Sequence, residues 1–522
     1  VSKIPIGNIK GPKGDKGDAG PKGDKGDTGA AGSNTIPTNQ AIAEAVTIDG
    51  PAKTALEEAI AGAVADAMST EEIVQRPTGF PAFSRSLLIR RDRLGQVSCD
   101  YDMTADRPVV GVTYYTAPGA SGAAAGTVAA PTHYQTAKNK ADIGTLAVTY
   151  GEYFADDTDG LISKDINIVG IPDAFGNRPL VTGWANPAHL TWALHDANIY
   201  KATRTGGTGA WGNGVQFVID KRNAYLTAWG DHAVYTKRAT LAEVTGPGQW
   251  TYVAGELFVW ALGNANLVTD ASFMRASKAG FTGIVKSGSR RVYVERVEVQ
   301  GAGWGPVPGS GTNPDINAVL DTQGGTVGGI SLARDVRVRY CPLSGVRPKG
   351  DTWAAFQRVE VSSCTGDGIG YQSSGGIVMQ ALEIDCYGHN LWASDPAAMN
   401  INASTGHNDV RIVRINTRGD TTQGPIFADV NGAMSWNLRC SAVNSVSPSG
   451  QGDVGFQALN QSPYSTTKVW VEDCYVERAN LALNAGGTTP YVSEIHTRRV
   501  QYGAEVANET YLTGAGSSIT PY

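Results

Sequence analysis

Two side chains in the second half of this 522-residue sequence are spaced as an acid–base couple would be. Asp367 stands three positions after Cys364, and His389 stands three after Cys386. If the two cysteines mark equivalent points of a repeating unit, carboxylate and imidazole stack one unit apart, within reach of a shared proton. Asp385, beside Cys386, and the later Asp395 and Asp420 are further carboxylates, and glycoside hydrolysis uses two. The alternative for Asp367 is local: it precedes Gly368, and aspartate before glycine commonly closes a turn through its own backbone. A second constellation is aromatic. Trp192, Trp211, Trp229, Trp250 and Trp260 crowd one stretch, with Trp211, Trp229 and Trp250 as candidates for a sugar-stacking platform. The alternative is that they pack the stretch itself.

Other patterns carry no chemistry. Gly207-Thr-Gly-Ala-Trp-Gly212 matches a dinucleotide fingerprint but runs into a strand pattern instead of opening a helix. Arg418-Gly-Asp420 spells an adhesion tripeptide, which chance supplies in a glycine-rich chain. Six cysteines with no C-x-x-C and seven histidines with no H-x-x-x-H exclude a disulfide scaffold and a dedicated zinc site. No metal or cofactor is expected.

The elements that must hold these residues are short β-runs. Val336-Arg-Val338-Arg-Tyr-Cys341, Val359-Glu-Val361-Ser-Ser-Cys364 and Val469-Trp-Val471-Glu-Asp-Cys474 share the form V-x-V-x-x-C. Leu382-Glu-Ile384-Asp-Cys386 and Trp436-Asn-Leu438-Arg-Cys440 are one residue shorter. Alternation puts aliphatic residues on one face and Arg, Glu or Ser on the other. A unit of roughly 22–23 residues, β-branched and closing on a small residue, is what one coil of a parallel β-helix requires. The cysteines then serve as small buried hydrophobes at inward turns. An all-β, right-handed parallel β-helix is expected over 113–505, with a β-rich insert at about 189–265 and a tail at 506–522.

The N-terminal region is fibrous. From Gly11 to Gly32 glycine recurs at every third position, and the chain as a whole holds 65 glycines, about 12% against a usual ~7%. Such a period is demanded where three polyproline-like strands meet at an axis that admits only glycine. Lys-Gly-Asp units such as Lys13-Gly14-Asp15 can pair between staggered strands. A collagen-like triple helix is therefore expected at 11–32, behind an attachment segment at 1–10. Ile42, Val46, Leu56, Ile60, Ala63 and Ala67 keep a coiled-coil spacing, so 33–76 reads as a trimeric helical neck and 77–112 as a connector. The net charge of −6 argues against a nucleic-acid partner. No apolar run is long enough for membrane insertion, and no secretion signal is expected.

Together the opening Ile4-Pro-Ile-Gly-Asn-Ile-Lys-Gly-Pro-Lys-Gly-Asp, the triplets and Gly50-Pro-Ala-Lys-Thr-Ala-Leu56 resemble minor tail proteins, or tail fibres, of actinobacteriophage type. Thr113-Tyr-Tyr-Thr-Ala-Pro-Gly119, Gly144-Thr-Leu-Ala-Val-Thr-Tyr-Gly-Glu-Tyr153 and Lys164-Asp-Ile-Asn-Ile-Val-Gly170 resemble the entry coils of pectin-lyase-like β-helices. The resemblance implies a homotrimer in the phage virion, assembled in the host cytoplasm. Its N-terminus would join other tail proteins and its β-helix would meet a host cell-surface polysaccharide. Such folds also carry polysaccharide hydrolases and lyases, so a tailspike-type depolymerase is the alternative. The tandem aspartate pair with Gly-His-Gly of those enzymes is missing; Gly388-His389-Asn390 matches only in part. Binding without cleavage is the favoured expectation.

Overall fold

The computed structural model describes Glu58 and residues 71–522, except 109–110, 155–160, 206–210, 212–213, 227–230, 279–282, 302–318, 324–327, 342–343, 365–366, 373–377, 391–398, 403–409, 422–424, 446–453, 461–465, 488–490, 504 and 514–515. The glycine triplets and the expected neck up to residue 70 lie outside the described residues, Glu58 apart.

Parallel pairing dominates the rest. Twelve strands form one sheet (sheet I), running coil by coil from Val112–Thr116 to Ser518–Pro521. Ten form sheet II, from Glu152–Tyr153 to Gln501–Tyr502. Six form sheet III, from Ile369–Gln372 to Asn508–Thr513, and the parallel pair Ile284–Ser287 and Val319–Gln323 continues toward it through bridges at Val346. One coil shows the circuit: Trp353–Gln357 in sheet I, Glu360–Cys364 in sheet II, Ile369–Gln372 in sheet III, then Met379–Ile384 back in sheet I beside its predecessor. This is a parallel β-helix.

From the coil of Arg291–Glu295 onward, the corner from sheet I to sheet II is made the same way in eight successive coils. Arg296, Asp335, Arg358, Asp385, Asn416, Arg439, Asp473 and Arg499 all take a left-handed backbone, φ 51–55°. Each such residue costs on the order of 1–3 kcal/mol. The amide of each of the first seven, Arg296 to Asp473, still donates to the next coil, as in Asp335 N to Gln357 O (3.0 Å) and Asp385 N to Ile415 O (3.0 Å). The residue after it turns inward and is small or β-branched: Val297, Val336, Val359, Cys386, Thr417, Cys440, Cys474 and Val500.

Inside, residues stack in rows about 4.8 Å apart. One row of sheet I runs Leu146, Ile168, Val294, Ala333, Phe356 and then turns polar with Glu383, Arg414 and Asn437 before Val471. In these polar coils one inward row of sheet II is Gly388, Gly419 and Ala442, which leaves lumen volume for long side chains. The Arg414 guanidinium is fully buried and lies 3.5 Å from Glu383, 3.3 Å from Asp429 and 3.0 Å from the Asn437 amide oxygen. Burial pushes both carboxyls above their usual range, while the guanidinium pulls them back.

The outer face of sheet I is also apolar, through Tyr293, Leu332, Ala355, Leu382, Val413, Trp436 and Trp470. A small antiparallel sheet (Glu72–Ile73, Leu88–Arg91, Val97–Asp100) covers it. Phe80 meets Trp470 edge-on at 5.5 Å, Phe83 meets Trp353 at 6.0 Å, and Trp353 Nε1 donates to the Tyr101 hydroxyl at 2.7 Å. Residues 77–112, expected as a connector, thus largely form a strap, because their scattered aromatics have an apolar sheet face to bury. Residues 506–522, expected as a tail, contain strands of sheets III and I: an existing coil supplies the backbone partners that this Gly- and Ser-containing stretch lacks alone. The insert is β-rich as expected. Its five-stranded sheet holds Leu190–Asp196, Ile199–Arg204, Thr236–Lys237, Gln249–Val253 and Glu256–Trp260. Its second sheet pairs Val215–Asp220 with Met274–Lys278, beyond the expected boundary at 265.

Replacing Arg414 by Met strands two buried carboxylates and is expected to destabilise the β-helix by about 3–5 kcal/mol at neutral pH. The carboxyls are already raised, so protonation relieves the variant as pH falls; urea midpoints of both proteins should converge on acidification. Equal midpoints at pH 7 would contradict this account.

Candidate functional site

The register of sheet II decides where the predicted residues go. Val361 pairs with Gly388 and Cys364 with Asn390, so a bulge sets both Ser362 and Ser363 opposite His389. Asp367 lies beyond this ladder, at the corner toward sheet III, where its carbonyl accepts from Gly345 N at 3.0 Å. His389 instead pairs with Asp420 in the next coil, their side chains 3.7 Å apart and both fully buried. The expected stacking of Asp367 on His389 is therefore corrected. Cys364 ends a strand of sheet II, whereas Cys386 sits at the corner before one, so the two cysteines are not equivalent positions. The structural equivalent of Cys386 is Val359. Asp385 is exposed at the left-handed corner and accepts from Asn416 Nδ2 at 3.0 Å, on the opposite side of the strand from Asp367.

The insert's tryptophans also have defined places. Trp211 and Trp250 are 2% and 1% exposed in the insert's own core, and Trp250 Nε1 donates to Tyr235 O at 3.0 Å. Neither offers a free ring face. Trp229 lies outside the described residues.

What sequence reasoning missed is the outward face of sheet II. One row runs without a break through Glu152, Leu180, Glu298, Arg337, Glu360, Tyr387, Arg418, Ser441, Tyr475 and Gln501. Its signal was the polar residue that opens every sheet II strand but the one beginning at Leu180. Ion pairs cross-link it: Arg337 reaches Glu360 at 2.8 Å and Glu298 at 3.9 Å, and Arg339 in the parallel row reaches Glu360 at 3.4 Å.

Two clefts flank this row. The first, about 870 Å³, lies at the corner rail, between the strap's turn at Gly95 and Gln96 and the sheet residues Asp385, Asn416, Arg439, Asp473, Tyr475 and Arg499. Asp473 is held there by Arg91 and Arg499. The second, about 560 Å³, lies between sheet II and the insert and is lined by Tyr150, Glu152, Arg178, Lys221, His232, Glu298, Arg337 and Arg339 among others. Asp231 anchors the insert to the sheet: Ser362 and Ser363 donate to its carboxylate at 3.2 and 2.7 Å, and Arg339 pairs with it at 3.5 Å. Among the described residues no cluster of three His, Cys, Asp or Glu is placed to hold a metal.

No family model matches the chain, and no curated protein does. Solved structures to which it is similar include a complex of XylC with xylose, at 12% identity and TM-score 0.41, covering 75% of this chain and 68% of that one. A glycoside hydrolase follows at 9% and 0.40, covering 79% and 97%. The tailspike gp61 of Pseudomonas phage phi297 is similar at 11% and 0.22, covering 74% and 72%. The fold assignment itself rests on the ladders described above.

Asp231→Ala leaves two buried serine hydroxyls without their carboxylate acceptor, at a cost of roughly 1–3 kcal/mol. Because the anchor joins insert to sheet, limited proteolysis should cut the insert faster while the coils stay resistant. An unchanged cleavage rate would contradict the anchor.

Proposed function

We propose that this chain is a trimeric bacteriophage tail fibre, a minor tail protein of the virion, whose β-helix binds a host cell-envelope glycan along the outward face of sheet II. The observation that carries the glycan reading is the unbroken outward row from Glu152 to Gln501, one side chain per coil. A linear polymer of sugar units can lie along such a row, with carboxylates, guanidiniums and a serine meeting its hydroxyls and Tyr387 and Tyr475 offering ring faces. The fibre reading is supported by the glycine triplets from Gly11 to Gly32, which require three chains, and by the resemblance of the N-terminal sequence. Three yoked copies would raise avidity about 10²–10⁴-fold over one weak site.

A second reading, depolymerisation of the same glycan, is favoured by the neighbouring His389 and Asp420, with Asp367 and Asp385 as further carboxylates on these coils. The two readings separate on one experiment. The intact protein should sediment as a trimer and retain host-wall polysaccharide without releasing reducing ends or unsaturated uronate. Deleting residues 11–32 should lower retention by at least tenfold. A monomer in the intact protein would remove the fibre reading, and product formation lost on His389→Asn or Asp367→Ala would establish the second.

A further inference from the structure

The cleft between the insert and sheet II holds one cation, Arg178, that the fold leaves without an ion pair, while its other cations are paired. Arg178 Nη1 is buried with no hydrogen-bond partner, and its guanidinium makes no ion pair among the described residues. His232 Nδ1 is likewise buried and unpaired. The two carboxylates lining the cleft answer its other cations: Glu152 pairs with Arg275 at 3.1 Å and lies 3.9 Å from Lys221, and Glu298 lies 3.9 Å from Arg337 and 4.0 Å from Arg339. Burial and the neighbouring Arg337 pull Arg178 below the usual arginine range. Burial first, then nearby cations, lowers His232 in the same way, and burial lowers Lys221. A buried donor left without an acceptor costs free energy until something fills it.

Two aromatic rings stand beside these cations. Tyr150, in the cleft wall, is 50% exposed, and Phe175, next to the lining residues Gly176 and Arg178, is 91% exposed. Phe175 is held out by a rigid turn. The Asp173 carboxylate accepts from Phe175 N (3.0 Å), Asn177 N (2.8 Å) and Asn177 Nδ2 (2.8 Å), and Gly176 supplies the left-handed φ of 82° that closes it. Packing gives no reason for a nearly bare phenylalanine on so well-fixed a turn. A ligand's apolar ring face does.

We propose that this cleft is a subsite for an acidic glycan unit, its carboxylate or phosphate on Arg178 and its ring face on Phe175 or Tyr150. The proposal rests on the glycan-binding reading and adds the ligand's charge class. Calorimetry of the full chain with three probes tests it: oligogalacturonate, its carboxyl-reduced neutral counterpart, and an oligomer of glycerol phosphate. One acidic probe should bind at least about tenfold more tightly than the neutral one, and which one does so distinguishes carboxylate from phosphate. Arg178→Gln should abolish that preference and leave neutral binding unchanged. Phe175→Ala should weaken the acidic probe several-fold without lowering the melting temperature. An acid preference that survives Arg178→Gln, or equal binding of neutral and acidic probes, overturns the subsite while the wider glycan face stands. Failure of every probe, together with loss of host-wall retention by the native chain, overturns both.

Discussion

From the coil of Arg291–Glu295 onward, each coil must turn from sheet I into sheet II at a single reversing residue without giving up the amide bond to the coil beyond it. A left-handed residue meets this demand, since it reverses the chain direction sharply while its N–H still points along the axis. The strain is repeated in eight successive corners, and inter-coil hydrogen bonds from the corner amide hold seven of them. A corner that drifted by one residue would turn the following strand inside out, because side chains alternate with period two. The inward valine, cysteine or threonine after each corner and the outward polar residue after that are both consequences of this register.

The same constraint explains why the lumen tolerates Glu383, Arg414 and Asp429. Stacked rows allow no sideways escape, so a charged residue on one coil must be answered on its neighbours or on a facing sheet. Glycines at 388 and 419 provide room, and Asn437, which accepts from Arg414 and donates to Ser435 at 2.9 Å, links the cluster to the next coil. A second buried pair, Lys286 with Asp351, sits toward the other end of the rod. Both groups occupy interior positions that hydrophobes fill elsewhere, and a buried pair of this kind is a specifier of register more than a source of stability.

The β-helix was legible because its strands keep strict alternation and close on small residues. The particular alignment of coils was not. Cysteine is only one of several small residues at the corner, so Val336, Val359 and Thr417 carried the same role unseen, while Cys341 and Cys364 fell at a different position of the coil. Coil length also varies, from 22 residues between Leu146 and Ile168 to 39 between Val294 and Ala333, the insert-bearing coil apart. An argument from equal offsets after cysteine, such as that for Asp367 and His389, therefore fails even where the repeat is real. The burial of Trp211 and Trp250 was open on composition alone, because a dense set of tryptophans packs a small domain as readily as it lines a platform.

Unequal coils whose corner is constant from Arg296 onward leave two places for the chain to elaborate: the earlier corner at Asp173–Asn177, and the far side of the circuit, beyond sheet II. The insert arises there, after Leu180–Thr182 and before Ile284–Ser287, and disturbs neither the corner nor the sheet I ladder, where Ile166–Ile171 pairs directly with Arg291–Glu295. Sheet I meanwhile has its outer face largely covered by the strap. Added structure thus accumulates around sheet II and builds walls beside its outward row, which turns a straight polar ladder into a bordered cleft with fixed cations and bare aromatics. On the proposed reading, recognition would be concentrated where the fold can vary without cost to its register, and a change of ligand could evolve in the insert and the Asp173–Asn177 turn with the later corners left intact.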